Sequence, residues 1–274
     1  MINRLLDNVY MAKWLHKLCV WTGTCLLGVV FVHAQSQELL DANPGRPTVS
    51  TPATLTPVGY LQFETGVLQA WESPDFSRRF SLVEVMKLTV HKRLQFIVSD
   101  EPLVYSHDGV NIGKSTGDVL LGVQALILPG KGWRPTLSAS YFRHIYAGTS
   151  PDLDLGTPHN SVLLLLSGDI KGFHYDTNYF FNEVVDTADH RPQFGQTLSV
   201  SHPLHRKLGV SVELWHFTQP FLRSRTLGTL WALNYNARKN LVYDFGFANG
   251  YSTNSTHWQA FAGFTYLLPH RLWH

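Results

Sequence analysis

Cysteine is nearly missing from the 274-residue chain, and its two copies, Cys19 and Cys25, both precede residue 35. Everything after them is therefore without disulfides or thiolate metal sites. Charge is scarce as well: 15 % of residues are Asp, Glu, Lys or Arg, where soluble domains average about 25 %. The net charge of +2 is too small for a nucleic-acid footprint, and no nucleic-acid partner is expected. After residue 34 no apolar run approaches the roughly 20 residues a helix needs to cross a bilayer. Zinc-spaced clusters, glycine-rich phosphate loops and calcium loops are missing, so neither metal nor cofactor is expected.

What is present starts with a secretory signal. Arg4, Lys13 and Lys17 precede an apolar run from Leu18 to Val32, then Val32-His33-Ala34 and the polar Gln35-Ser36-Gln37. Basic, apolar and small-residue segments in that order predict cleavage after Ala34, whether translation starts at Met1 or Met11. Neither cysteine lies in a lipoprotein pattern. Residues 35–57 carry Pro44, Pro47, Pro52 and Pro57, which forbid a regular element. They read as a periplasmic lead-in, either tucked into the mouth of the domain that follows or a disordered linker.

From Tyr60 onward the period becomes two. Phe173, Tyr175, Thr177, Tyr179 and Phe181 share one side of a strand, with His174, Asp176, Asn178 and Asn182 on the other. Twelve such strands are predicted: 60–71, 80–90, 94–100, 117–128, 136–146, 161–168, 173–182, 194–201, 208–217, 226–235, 241–248 and 257–268. The second leaves its facing open, because either Glu84 or Lys87 must point outward. The sixth contains Leu163-Leu164-Leu165-Leu166 and does not alternate. Short connections, such as His91-Lys92-Arg93 and Lys171-Gly172, alternate strictly with long ones. The short turns are basic, and several long loops carry acids. Tight periplasmic turns alternating with longer outer loops are the rule of bacterial outer-membrane barrels. The expected fold is all-β: a closed antiparallel transmembrane barrel over 58–268, with a tail at 269–274. Its apolar face meets lipid, and closure leaves no unpaired edge.

On that facing the candidate lumen residues are Gln62, Glu64, Asp118, Gln124, His174, Asp176, Asn178, Glu213, Asn234 and Asp244. An acid-rich lumen favours cations or neutral solutes. The candidate interfacial girdle is Trp71, Trp133, Tyr146, Trp215, Trp258 and Tyr266, since Trp and Tyr rings are apolar with a polar handle.

The chain resembles the outer-membrane family of meta-pathway phenol-degradation proteins, whose members are described as transporters. The resemblance rests on Asn43-Pro44-Gly45-Arg46-Pro47, Thr54-Leu55-Thr56-Pro57, the Gln62/Glu64/Gly66 strand, Gly117-Asp118 with Gly122, Gly148-Thr149 with Asp152 and Gly156-Thr157, the turn Lys171-Gly172, and the strands around Glu213 and Asp244. It implies an outer-membrane barrel taking up aromatic or hydrophobic compounds. One departure is the extension Pro269–His274 beyond the terminal aromatic strand that assembly machinery reads.

The reading is therefore an outer-membrane channel, monomeric and non-enzymatic, for passive passage or binding of small solutes. Its partners are outer-membrane lipid, the solute and the barrel-assembly machinery. Two alternatives stay open. One is a lipid hydrolase using Ser161 and His159, two residues apart, with Asp152 or Asp154 nearby. The other is a structural barrel whose loops bind partners without conduction.

Overall fold

The computed structural model describes residues 39–273, apart from 152, 154–157 and 187. The signal expected at 1–34 lies outside the described residues. Strands β1 (Leu61–Trp71), β2 (Arg78–His91), β3 (Leu94–His107), β4 (Ile112–Ser115), β5 (Val119–Leu128), β6 (Thr136–Tyr146) and β7 (Asn160–Ile170) form the first half. The second holds β8 (Phe173–Asp186), β9 (Asp189–His205), β10 (Leu208–Gln219), β11 (Ser224–Arg238), β12 (Leu241–Gly250) and β13 (Trp258–Leu267).

Every pairing is antiparallel, and each long strand pairs with its sequence neighbours. The ring closes where β1 meets β13, from Gln62↔Leu267 to Trp71↔Trp258. Closure satisfies the backbone that lipid could not. Twelve strands make the wall. The thirteenth, β4, was not expected from the sequence and folds back only on the end of β3, pairing Val104–His107 with Ile112–Ser115. At its tip Asp108 Oδ1 accepts the backbone N–H of Val110 (2.9 Å) and of Asn111 (2.7 Å). These hydrogen bonds to the charged form hold the Asp108 carboxyl below its ordinary pKa.

Burial inverts the pattern of a soluble protein. Phe96, Leu121, Phe181, Leu214, Trp231 and Phe245 are exposed, whereas Gln62, Gln95, Gln124, Asn178, Ser199 and Thr265 are buried. The apolar side of each strand faces out and the polar side faces in. No helix is long and apolar enough to cross a membrane among the described residues. Between β7 and β8 the turn has two residues, Lys171 (φ 52°) and Gly172 (φ 86°), joining the pair Ile170↔Phe173. Both positive angles suit the type I′ geometry that matches strand twist.

The non-alternating leucines have a simple account. Leu163 and Leu165 turn inward and pack on Ala53, with Phe142 and Phe180 against them, while Leu164 and Leu166 alternate to the other face. The facing of β2 is also settled. Lys87 opposes Gln62 and points inward; Glu84 opposes Thr65 and points outward. The C-terminal extension is accommodated beside residues 58–61: Leu272 N–H donates to Gly59 O at 2.8 Å, and Arg271 Nε to Val58 O at 3.1 Å.

Candidate functional site

A proline-rich chain has few donors and forms no regular ladder within itself, so most of its backbone must bond to something else. Here the partner is the inner wall. Residues 43–56 run round the lumen and meet the strands one after another. Asn43 N–H donates to Gln62 Oε1 (2.9 Å), and Gln62 Nε2 returns a bond to Asn43 O (2.7 Å). Gly45 N–H reaches the Glu64 carboxylate at 3.1 Å. Arg46 pairs with Asp244 on β12 at 3.4 Å. On β10, Glu213 accepts from Val49 N–H (2.7 Å), Ser50 N–H (2.6 Å) and Ser50 Oγ (2.5 Å). Ser50 Oγ also lies 2.7 Å from Thr197 Oγ1 on β9.

The circuit continues on β8, where Asn178 Oδ1 accepts Thr51 N–H (2.6 Å) and Asn178 Nδ2 donates to Thr51 O (2.9 Å). Ala53 N–H donates to Ser167 Oγ on β7 (2.7 Å), and Ser138 Oγ on β6 donates to Ala53 O (2.5 Å). Gln124 on β5 donates to Pro52 O at 3.0 Å. Thr56 N–H ends the path on Gln95 of β3 at 2.9 Å, with Thr56 Oγ1 2.7 Å from Thr89 Oγ1 on β2. Residues 43–56 are therefore seated inside the barrel. Two wall acids also have wall or segment cations: Lys87 pairs with Glu64, and Arg46 with Asp244. Charge preference cannot be read from the acids alone.

Six of the ten candidate lumen residues, namely Gln62, Glu64, Gln124, Asn178, Glu213 and Asp244, bond directly to this segment. Asp176 stands beside them and accepts from Ser167 Oγ at 2.5 Å. The other three lie elsewhere on the inward faces. His174 is near the Lys171-Gly172 turn, between Asp169 (2.9 Å) and Asp176 (3.4 Å). Asn234 donates to Ser211 Oγ at 3.1 Å. Asp118 lies just ahead of β5 at the end far from the short turns, 3.0 Å from His144 Nε2 and 2.8 Å from Gly148 N. Sequence reasoning missed Gln95, Ser138, Ser167 and Thr197, and left the place of the segment open. The one available signal was four prolines in a stretch too polar to fold alone.

An apolar layer adjoins the polar one. Phe142, Trp215, Phe217 and Phe261 lie so close to Gly122, Gly228, Gly195 and Gly246 that a Cβ on any of those glycines would collide with a ring. Phe180 and Phe217 meet edge to face at 5.0 Å. Trp215 was expected in the girdle; it is 4 % exposed and points inward, because β10 turns its odd-numbered residues to the lumen with Glu213. Trp133 is 93 % exposed in the 129–135 connection and lies off the strands, so it too leaves the girdle assigned along strand ends. Trp71, Tyr146, Trp258 and Tyr266 stand at outward strand positions.

The fold is that of an outer-membrane porin-type barrel. No family model matches the chain, and no curated protein matches it by sequence. Among solved structures it is similar to the COG4313 outer membrane channel from Pseudomonas putida F1, at 13 % identity and a TM-score of 0.58, covering 83 % of this chain and 100 % of that one. The NanC porin matches at 10 % identity and 0.53, over 74 % of this chain and 98 % of that one. The KdgM porin matches at 10 % and 0.50, over 75 % and 98 %. The paired Ser161 and His159 do not form a nucleophile–base contact: Ser161 Oγ donates to Asn182 Oδ1 at 2.5 Å, and the His159 ring sits 6.4 Å from that of His190.

Proposed function

We propose that the protein is an outer-membrane channel for passive passage of small solutes, held narrow by its own residues 39–57. The observation that carries this reading is the circuit of bonds from Asn43 to Thr56. Side chains that would otherwise line a wet lumen are spent on one segment, whose only covalent tie to the barrel is at residue 58. The outward apolar belt supports placement in the outer membrane, surrounded by lipid and inserted by the barrel-assembly machinery. Solved barrels of this fold include proteins titled channel and porin.

For the solute class, the aromatic layer is the guide. Rings of Phe142, Trp215, Phe217 and Phe261 packed against glycines make the wall beside the polar circuit apolar and aromatic. That supports aromatic or hydrophobic solutes, in keeping with the resemblance to the phenol-degradation group. The proposed process is diffusion without catalysis; Ser161, the candidate nucleophile, donates to Asn182 instead of His159.

Solute flux into liposomes tests the reading. The chain lacking residues 39–57 but retaining its export signal should admit small neutral probes markedly faster than the intact chain. If neither form admits any probe of a graded size series, the channel reading fails.

A further inference from the structure

Charged side chains on the lipid face of a barrel are disfavoured, most of all near mid-depth, and one found there calls for a partner. Glu84 and Asp100 are such a pair. They oppose each other across β2 and β3, next to an irregularity in the ladder between Leu82 and Glu84. Glu84 also opposes Thr65, on the outward face of β1. Along their own strands the outward neighbours are Leu82, Met86 and Val98. Neither carboxylate has an ion-pair or hydrogen-bond partner among the described residues. The pair lies six or seven residues from the strand ends at the short turn, Leu94 and His91, and Glu84 is six from the far end, Arg78.

A cation stands on the same face at a matching count from the short connections. Arg143 on β6 is exposed, seven residues from Thr136, where its strand leaves the short connection. Its Nη1 donates to Asn160 Oδ1 at 2.8 Å, and it has no ion pair among the described residues. Only β5 separates β6 from β3, with Leu121 paired to Arg143 on one side and to Val98 on the other. The wall between the charges is apolar, carrying Leu121 and, two residues nearer the short connection, Val123 opposite Tyr141.

We propose that this face is the interface with a second copy of the chain. Two copies inserted the same way up are related by an axis along the membrane normal, so each residue can meet only residues at its own depth. A two-fold axis over β5 sets Arg143 of each copy against Glu84 and Asp100 of the other, two charge contacts from one operation. This arrangement replaces the monomer expected from the sequence. It stands apart from the channel reading, since it uses only outward-facing residues.

Cross-linking tests it in the native outer membrane, with Cys19→Ala and Cys25→Ala so that an introduced thiol is the only one. Leu121→Cys, at the axis, should give an oxidised homodimer; Phe245→Cys, outward on β12, should not. Adding Arg143→Glu should lower the Leu121→Cys dimer yield about tenfold, and adding Glu84→Lys with Asp100→Lys should restore it. Heat-modifiable migration reports folding, and Arg143→Gln substitutes if the glutamate variant does not insert. The proposal is overturned by absence of the dimer at residue 121, by a dimer indifferent to Arg143, or by cross-linking of residue 121 to a different protein.

Discussion

Glu213 concentrates the chemistry of the inner circuit in one side chain. It is 1 % exposed, and its two oxygens take three donors from Val49 and Ser50. Replacing a carboxylate by an amide swaps one acceptor for a donor aimed at N–H groups. A buried donor left unsatisfied costs about 1–3 kcal/mol. Glu213→Gln should therefore loosen the segment without opening the wall. Limited proteolysis at 43–56 should accelerate, with the barrel core still resistant. The deciding feature is geometric: an acid at an inward strand position is common in barrels, whereas three donors from one passing loop are specific to this lumen.

At the scale of elements, the aromatic strands depend on glycines in their neighbours. Gly195 on β9 lies against the Phe217 ring, which is itself packed on Phe180. Gly195→Val would drive Phe217 off its seat, and overpacking of this kind costs about 1–3 kcal/mol. Denaturant unfolding in detergent micelles should show that loss, and the Phe180–Phe217 layer should be disturbed. The β3–β4 hairpin makes a separate prediction with pH. Its Asp108 carboxyl is held below its ordinary value by two backbone N–H groups. A depressed folded-state pKa contributes order that is complete above the unfolded value near 3.9 and fades as pH falls through the folded one. Amide exchange at Val110 and Asn111 should therefore quicken only in strongly acid solution. In Asp108→Ala it should be fast at all pH, with no effect on the wall strands.

For the whole molecule, closure and occupancy are separable. The strand pairing runs from neighbour to neighbour round twelve strands and seals at β1–β13 without using residues 39–57. A chain lacking that segment should therefore keep its β-sheet circular dichroism and heat-modifiable migration while gaining permeability. Loss of both would mean that the segment is needed to build the barrel. The lumen acids also bear on selectivity. With Lys87 on Glu64 and Arg46 on Asp244, their charge is partly neutralised in the seated state, and removal of the segment takes Arg46 away. Reversal potentials should shift toward cation preference in the truncated form relative to the intact one.

Local rules were enough for the strands. Alternation of apolar and polar residues, turn residues such as Lys171-Gly172, and the short–long rhythm of connections act over a few positions, so they can be read along the chain. They placed all twelve wall strands and put Gln62, Glu64 and Asp244 on the inward side. Two things were beyond them, and one was misread. The four leucines looked irregular because the surface that Leu163 and Leu165 bury, Ala53, is more than a hundred residues away. Trp215 was the misreading: alternation from Glu213, two residues earlier and assigned to the lumen, already puts it on the inward face. The fate of residues 39–57 was undetermined because a segment without regular secondary structure, and with few bonds of its own, takes its conformation from whatever encloses it. That enclosure exists only once β1 and β13, nearly two hundred residues apart, have paired.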